Sequence, residues 1–113
     1  MAYDEILSAQ FRDWLRRRSG ISEKRMMGGV CFFLNGNMIG GADRTKEGVG
    51  RYMFRLGKDR HALGESLPGA EPMVHGGRFM RGLFFVREGC CDEEELKIWL
   101  RHALEHAESL PPK

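Results

Sequence analysis

What this 113-residue sequence lacks narrows its class before any pattern is read. No apolar run approaches the roughly 20 residues that a bilayer-spanning helix needs; the longest, residues 29–34, is the length of a strand. The opening Met1-Ala2-Tyr3-Asp4-Glu5 has no basic segment leading into an apolar one, so no export signal is read. The expectation is a cytoplasmic protein with no membrane partner. Cysteine is scarce and badly spaced for a disulfide scaffold: Cys31, Cys90 and Cys91 are an odd set with two neighbours. Charge of one sign is missing too. With 18 basic and 16 acidic residues the net charge is +2, far from the excess that a polyanion-wrapping domain carries, so direct nucleic-acid binding is not the first expectation. Gly-x-Gly-x-x-Gly, Gly-x4-Gly-Lys-Ser/Thr, His-Glu-x-x-His and a nucleophile elbow are all absent from the sequence. No cofactor and no catalytic residue is assigned, and the chain is read as non-enzymatic.

What is present is ordinary globular usage, 42% hydrophobic and 30% charged. That suits a single domain over residues 1–113, long enough to hold one core without covalent staples. Glycine is the exception. The 15 glycines are about twice the usual share, and many fall in pairs: Gly28-Gly29, Gly40-Gly41 and Gly76-Gly77. Such pairs punctuate short strands and tight turns.

Periodicity places the elements. Tyr3, Ile6, Leu7, Phe11, Trp14 and Leu15 form one stripe at helical spacing, with Arg16-Arg17-Arg18 in the last turn and Gly20 at the C-terminal position. Residues 25–34 read as a strand, Asn35-Gly36 as a type I′ turn, and residues 37–42 as the returning strand. Alternation over residues 51–56 predicts a third strand. Residues 58–66 suit a short helix with Asp59 as its cap. Met73-Val74 begins an edge strand, Gly76-Gly77 turns the chain, and residues 79–86 form the next strand. The last helix is announced by Asp92 and Glu95 as a capping box. Its buried stripe is Leu96, Trp99, Leu100, Ala103, Leu104, Ala107 and Leu110, and Pro111-Pro112 ends the ordered chain. The fold class is α+β: two layers, an antiparallel sheet with helices, in the order α-β-β-β-α-β-β-α. One sheet face accepts the helices. The other is left with Met, Gly and Arg residues and is the expected partner surface.

Several pieces together resemble one family: Lys24-Arg25-Met26-Met27-Gly28-Gly29-Val30, Asn35-Gly36-Asn37-Met38, Gly77-Arg78-Phe79-Met80-Arg81-Gly82, and the closing Ala107-Glu108-Ser109-Leu110-Pro111-Pro112-Lys113. With Met1-Ala2-Tyr3-Asp4, they resemble the N-terminal domain of the TfoX/Sxy family of bacterial competence regulators. Phe is common in that family where this chain has Met27, and Pro where it has Phe79. The resemblance implies a two-layer fold similar to that of secretion chaperones, no catalytic residue, and a second, C-terminal helical domain in full-length regulators that this sequence does not show.

Four candidate constellations remain. Cys90 and Cys91 with His102 and His106 offer metal-ligating groups, but adjacent cysteines rarely close on one ion, and the helix pattern turns both histidines to solvent. Cys31 with His61 or His75 offers a thiol and a base, but a thiol in an apolar strand is dulled. Arg16-Arg17-Arg18, together with Arg78 and Arg81, offers an anion or nucleic-acid module as the alternative reading. The first reading is a regulatory or accessory protein acting through protein contacts as a homodimer. Its interaction residues would be Arg25, Met26, Met27, Gly28 and Gly29, with Gly77, Arg78, Met80 and Arg81. Of the seven methionines, Met26, Met27, Met38, Met53, Met73 and Met80 fall in or beside strands, where thioethers suit adaptable surfaces as well as cores.

Overall fold

A computed structural model describes residues 4–26 and 28–113. Met27 and the first three residues, Tyr3 among them, therefore lie outside the described residues. Helix α1 (Glu5–Leu15) precedes four strands, β1 (Ile21–Met26), β2 (Gly29–Leu34), β3 (Asn37–Arg44) and β4 (Gly50–Arg55). A 3₁₀ turn (Lys58–Arg60) and helix α2 (His61–Glu65) follow, then β5 (Glu71–His75), β6 (Arg78–Arg87) and helix α3 (Glu93–Ser109). The strands form one antiparallel sheet in the order β1-β2-β3-β4-β6-β5. This is the expected α+β arrangement with one strand more. The single strand read over residues 25–34 is a hairpin: Gly28 adopts φ 78° and Met26 pairs with Gly29. β1 was invisible to periodicity because Ser22, Glu23, Lys24 and Arg25 are all exposed on an edge.

Asp4 caps α1, a role not assigned from the sequence, through a bond accepted from the Leu7 amide at 2.9 Å, and its other carboxylate oxygen receives Arg44. The cap and turn expected elsewhere hold. Asp92 and Glu95 complete the capping box of α3. Asn35 and Gly36 both take positive φ, as a type I′ turn requires. Five expectations are corrected. α1 stops at Leu15, so Arg16 is its C-cap and Arg17 and Arg18 lie beyond it. Gly20, at φ 79°, serves the β1 entry, where its carbonyl accepts from Asn35. Ile6 is 79% exposed, because the buried face of α1 runs through Leu7, Ser8, Phe11 and Leu15. Asp59 caps nothing: it lies inside the 3₁₀ turn, and neither that turn nor α2 has a side-chain cap. Finally, Pro111-Pro112 does not release the tail. Asn37 donates from Nδ2 to the Pro111 carbonyl at 3.0 Å, and the Lys113 amide donates to the Asn35 carbonyl. Two pieces of the family pattern thus meet in space.

All three helices lie on one sheet face. Phe11 stacks on Phe32, and Trp99 packs against Phe54 and Phe84. Alternation sends Val30, Phe32, Leu34, Tyr52, Phe54, Phe84 and Val86 into this core. The opposite face holds a second cluster, with Cys31, Met53 and Met73 buried and Met26, Phe33, Met38, Met80, Leu83 and Phe85 half-buried around them.

That second cluster is buried without a helix above it, so the sheet itself supplies the cover. In a flat sheet β1 and β5 would stand about 24 Å apart, five strand spacings. Instead Met26 from β1 and Met73, Val74 and His75 from β5 line one cavity of about 120 Å³. The sheet is curled toward a half-barrel. Gly40 and Gly41 at its centre explain how: a Cβ on Gly40 would fall on the Met53 carbonyl, and one on Gly41 on the Val30 carbonyl. Only a residue without a side chain lets the strands approach that closely.

Candidate functional site

Two features of the described surface bear on function, and the β5–β6 hairpin joins them. The first is the curled, methionine-rich face. Met26 and Met80, which sequence reasoning placed in separate interaction groups, belong to one cluster there. Gly29 lines the small cavity with Met26, while Gly28 and Arg25 are exposed beside it. Gly76 and Gly77, both at positive φ, turn β5 into β6. Met27, the remaining member of the first group, lies outside the described residues. Asp43 and Arg51 border the face as an ion pair at 2.7 Å, and Arg51 lies 3.6 Å over the Phe85 ring. The charges of this pair cancel, while Arg55, across from Leu83 on the same face, has no acidic partner among the described residues. Val74 and Phe79, a cross-strand pair, are 60% and 52% exposed.

The second feature is a cleft of about 610 Å³ where β4 leaves the sheet. It is lined by Arg55, Gly57, Lys58, His106 and the β6 segment Arg78, Phe79, Met80, Arg81 and Leu83. Its geometry depends on a residue that sequence reasoning gave no structural role. His61, 3% exposed, accepts the Gly82 amide on Nδ1 at 2.8 Å. The ring stacks on Phe84 and meets the edge of Phe79. Gly82, at φ 82°, in turn accepts from the Leu56 and Gly57 amides on its carbonyl. A Cβ at Gly82 would fall on the Gly57 backbone. The final glycine of the Gly-Arg-x-Met-x-Gly piece is thus the point where β6 locks onto the β4 exit. His61 is a positioning residue for that lock and not a free base.

The remaining candidates are dispersed. Arg16 pairs with Asp13 and Arg18 with Glu108, so two of the first three arginines are engaged at the α1 end, and none of the three lines the cleft with Arg78 and Arg81. Cys91 donates Sγ–H to the Pro68 carbonyl at 3.2 Å, and Cys90 is exposed. His102 faces Glu105 at 3.6 Å, and His106 packs against Gly57. Among the described residues no three His, Cys, Asp or Glu side chains gather into a metal site. Both helix histidines are half-buried, which corrects their expected solvent position: the 3₁₀ turn folds against α3, a contact no local pattern announces. Burial, and then the Arg55 cation, hold the His106 pKa below its usual value despite Asp59. Cys31 shares its cavity with His75, but burial pushes the thiol up to about 11, leaving it protonated and inert. No helix among the described residues is long and apolar enough to cross a membrane.

Comparison with known proteins gives one match. The family model for the TfoX N-terminal domain covers residues 13–107, from the last turn of α1 to near the end of α3. Neither a search of curated proteins nor one of solved structures returns a match. The matched span contains the whole sheet, the hairpin turns and the Gly82 lock, and on that span the chain belongs to the TfoX N-terminal domain family.

Proposed function

We propose that the protein is a non-enzymatic regulatory or accessory domain of competence-regulator type, acting through protein contact, and that the contact is a homodimer made by the methionine-rich sheet face. The single observation that carries this reading is the helix-free cluster of Met26, Phe33, Met38, Met80, Leu83 and Phe85 around buried Cys31, Met53 and Met73. Half-buried thioethers and aromatic rings are what an adaptable interface core uses. The sheet edges are poorer routes to association. β1 shows Glu23, Lys24 and Arg25 to solvent, and β5 carries Pro72, both devices that discourage strand addition. Because Asp43 and Arg51 neutralise each other, the face suits an equally apolar copy of itself. Three free cysteines fit a reducing, cytoplasmic compartment.

Light scattering across a concentration series tests the proposal. The expected result is a dimer that Met38→Lys converts to a folded monomer. A wild-type protein that stays monomeric at the highest concentration overturns it.

A further inference from the structure

Apart from any dimer, we propose that the cleft beside the Gly82 lock binds a phosphate-bearing ligand with a flat ring, a mononucleotide, held by Arg55, Lys58, Arg78 and Arg81 with Phe79 beside them. Away from the cleft, the protein neutralises most of its arginines. Arg12, Arg16, Arg18, Arg44, Arg51, Arg60 and Arg87 are each ion-paired with an Asp or Glu. The four cations of the cleft have no such partner among the described residues, and no acidic side chain is in the lining. Four like charges around one concavity raise the local potential well beyond what a net charge of +2 suggests. A dense anion relieves that repulsion, and guanidinium groups match phosphate geometry.

Size and lining narrow the ligand further. A volume of about 610 Å³ lies in the range of small-molecule sites. Phe79, Met80 and Leu83 supply an apolar side to the cleft, and Phe79 is 52% exposed, so a ring has a surface to stack on. The site is also preorganised: His61 and Gly82 hold the segment that carries Arg81 against the backbone that carries Lys58.

The test is calorimetric titration of the full chain with ADP, inorganic pyrophosphate and a single-stranded oligothymidylate, with amide NMR shifts as the map. Expected are saturable ADP binding, weaker pyrophosphate binding, and shifts centred on Gly57 and residues 78–83. The exposed pair Arg78→Gln/Arg81→Gln should weaken ADP by about tenfold or more, the loss expected for charge-assisted hydrogen bonds. Lys58→Glu should act in the same direction without touching β6. No binding at millimolar ADP, or unchanged affinity in both variants, overturns the proposal. Pyrophosphate binding as tight as ADP removes the role of the ring and overturns it as well. So does oligonucleotide binding that is much tighter than ADP and steeply salt-dependent, since that marks a polyanion track. Met80 and Leu83 line this cleft and also belong to the methionine-rich face, so the titrations are repeated on the Met38→Lys variant, where the same ADP affinity is expected.

Discussion

His61 is the residue whose replacement should say most about how this fold is held. It is buried beneath Phe79, stacks on Phe84 at 4.9 Å between centroids, and accepts the Gly82 amide at 2.8 Å. His61→Phe keeps an aromatic ring and deletes the acceptor. The Gly82 amide is then buried and unpaired, which costs about 1–3 kcal/mol. His61→Leu deletes the acceptor and the ring, adding about 0.5–1.5 kcal/mol of lost aromatic contact. The expected order of stability is wild type, then Phe, then Leu, with the Leu variant down by about 1.5–4.5 kcal/mol. For a chain of this size about 4 °C is lost per kcal/mol, so its midpoint should fall by about 6–18 °C. Urea unfolding followed by tryptophan fluorescence measures the free energies, and Trp99 in the core is a suitable reporter. Hydrogen exchange at Gly82 supplies a local readout, which should quicken in both variants relative to the neighbouring β6 amides. If the Phe variant is as stable as wild type and Gly82 remains protected, the lock is not made by His61 and the reasoning fails.

Three further outcomes follow from the same structure. Gly41→Ala should cost about 1–3 kcal/mol, because its Cβ meets the Val30 carbonyl at the centre of the curl and the backbone must move; thermal unfolding showing no loss would mean the sheet is flatter than described. In a native thiol titration at mildly alkaline pH, exposed Cys90 should react first and Cys31 only on unfolding, since burial both shields Cys31 and raises its pKa to about 11; equal rates would contradict that burial. His106 should titrate by NMR below the ordinary histidine value, as burial and the nearby Arg55 cation both disfavour imidazolium. Arg55→Met removes one of those two causes and should move the midpoint upward; a downward move would reverse the assigned sign.

Much of this fold was legible because its signals are local. The capping box at Asp92 and Glu95 is a three-residue pattern that satisfies orphan amides wherever it occurs, and it starts α3 as expected. Asn35-Gly36 makes a type I′ turn because both residues tolerate positive φ. Tyr52 and Phe54 alternate with Met53, and a pleated strand must send them to opposite faces. β1 was not legible, since an exposed edge strand of Ser, Glu, Lys and Arg has no buried face to impose a period. Ile6 misled for a related reason. Its spacing fits the stripe, but the buried face of α1 is chosen by how the helix sits on β3 and β4, and Ser8 is buried in its place.

By itself, the sequence determined the α+β class, where the turns fall, and which family pattern the chain carries, because propensity, caps and alternation act between near neighbours. Only the tertiary structure decided that β1 and β5 curl to share a cavity, that His61 holds Gly82, and that Arg55, Lys58, Arg78 and Arg81 share one cleft. These are meetings of residues far apart in the chain. Twist, curl and packing set them, and no local pattern records which distant side chains those forces bring together.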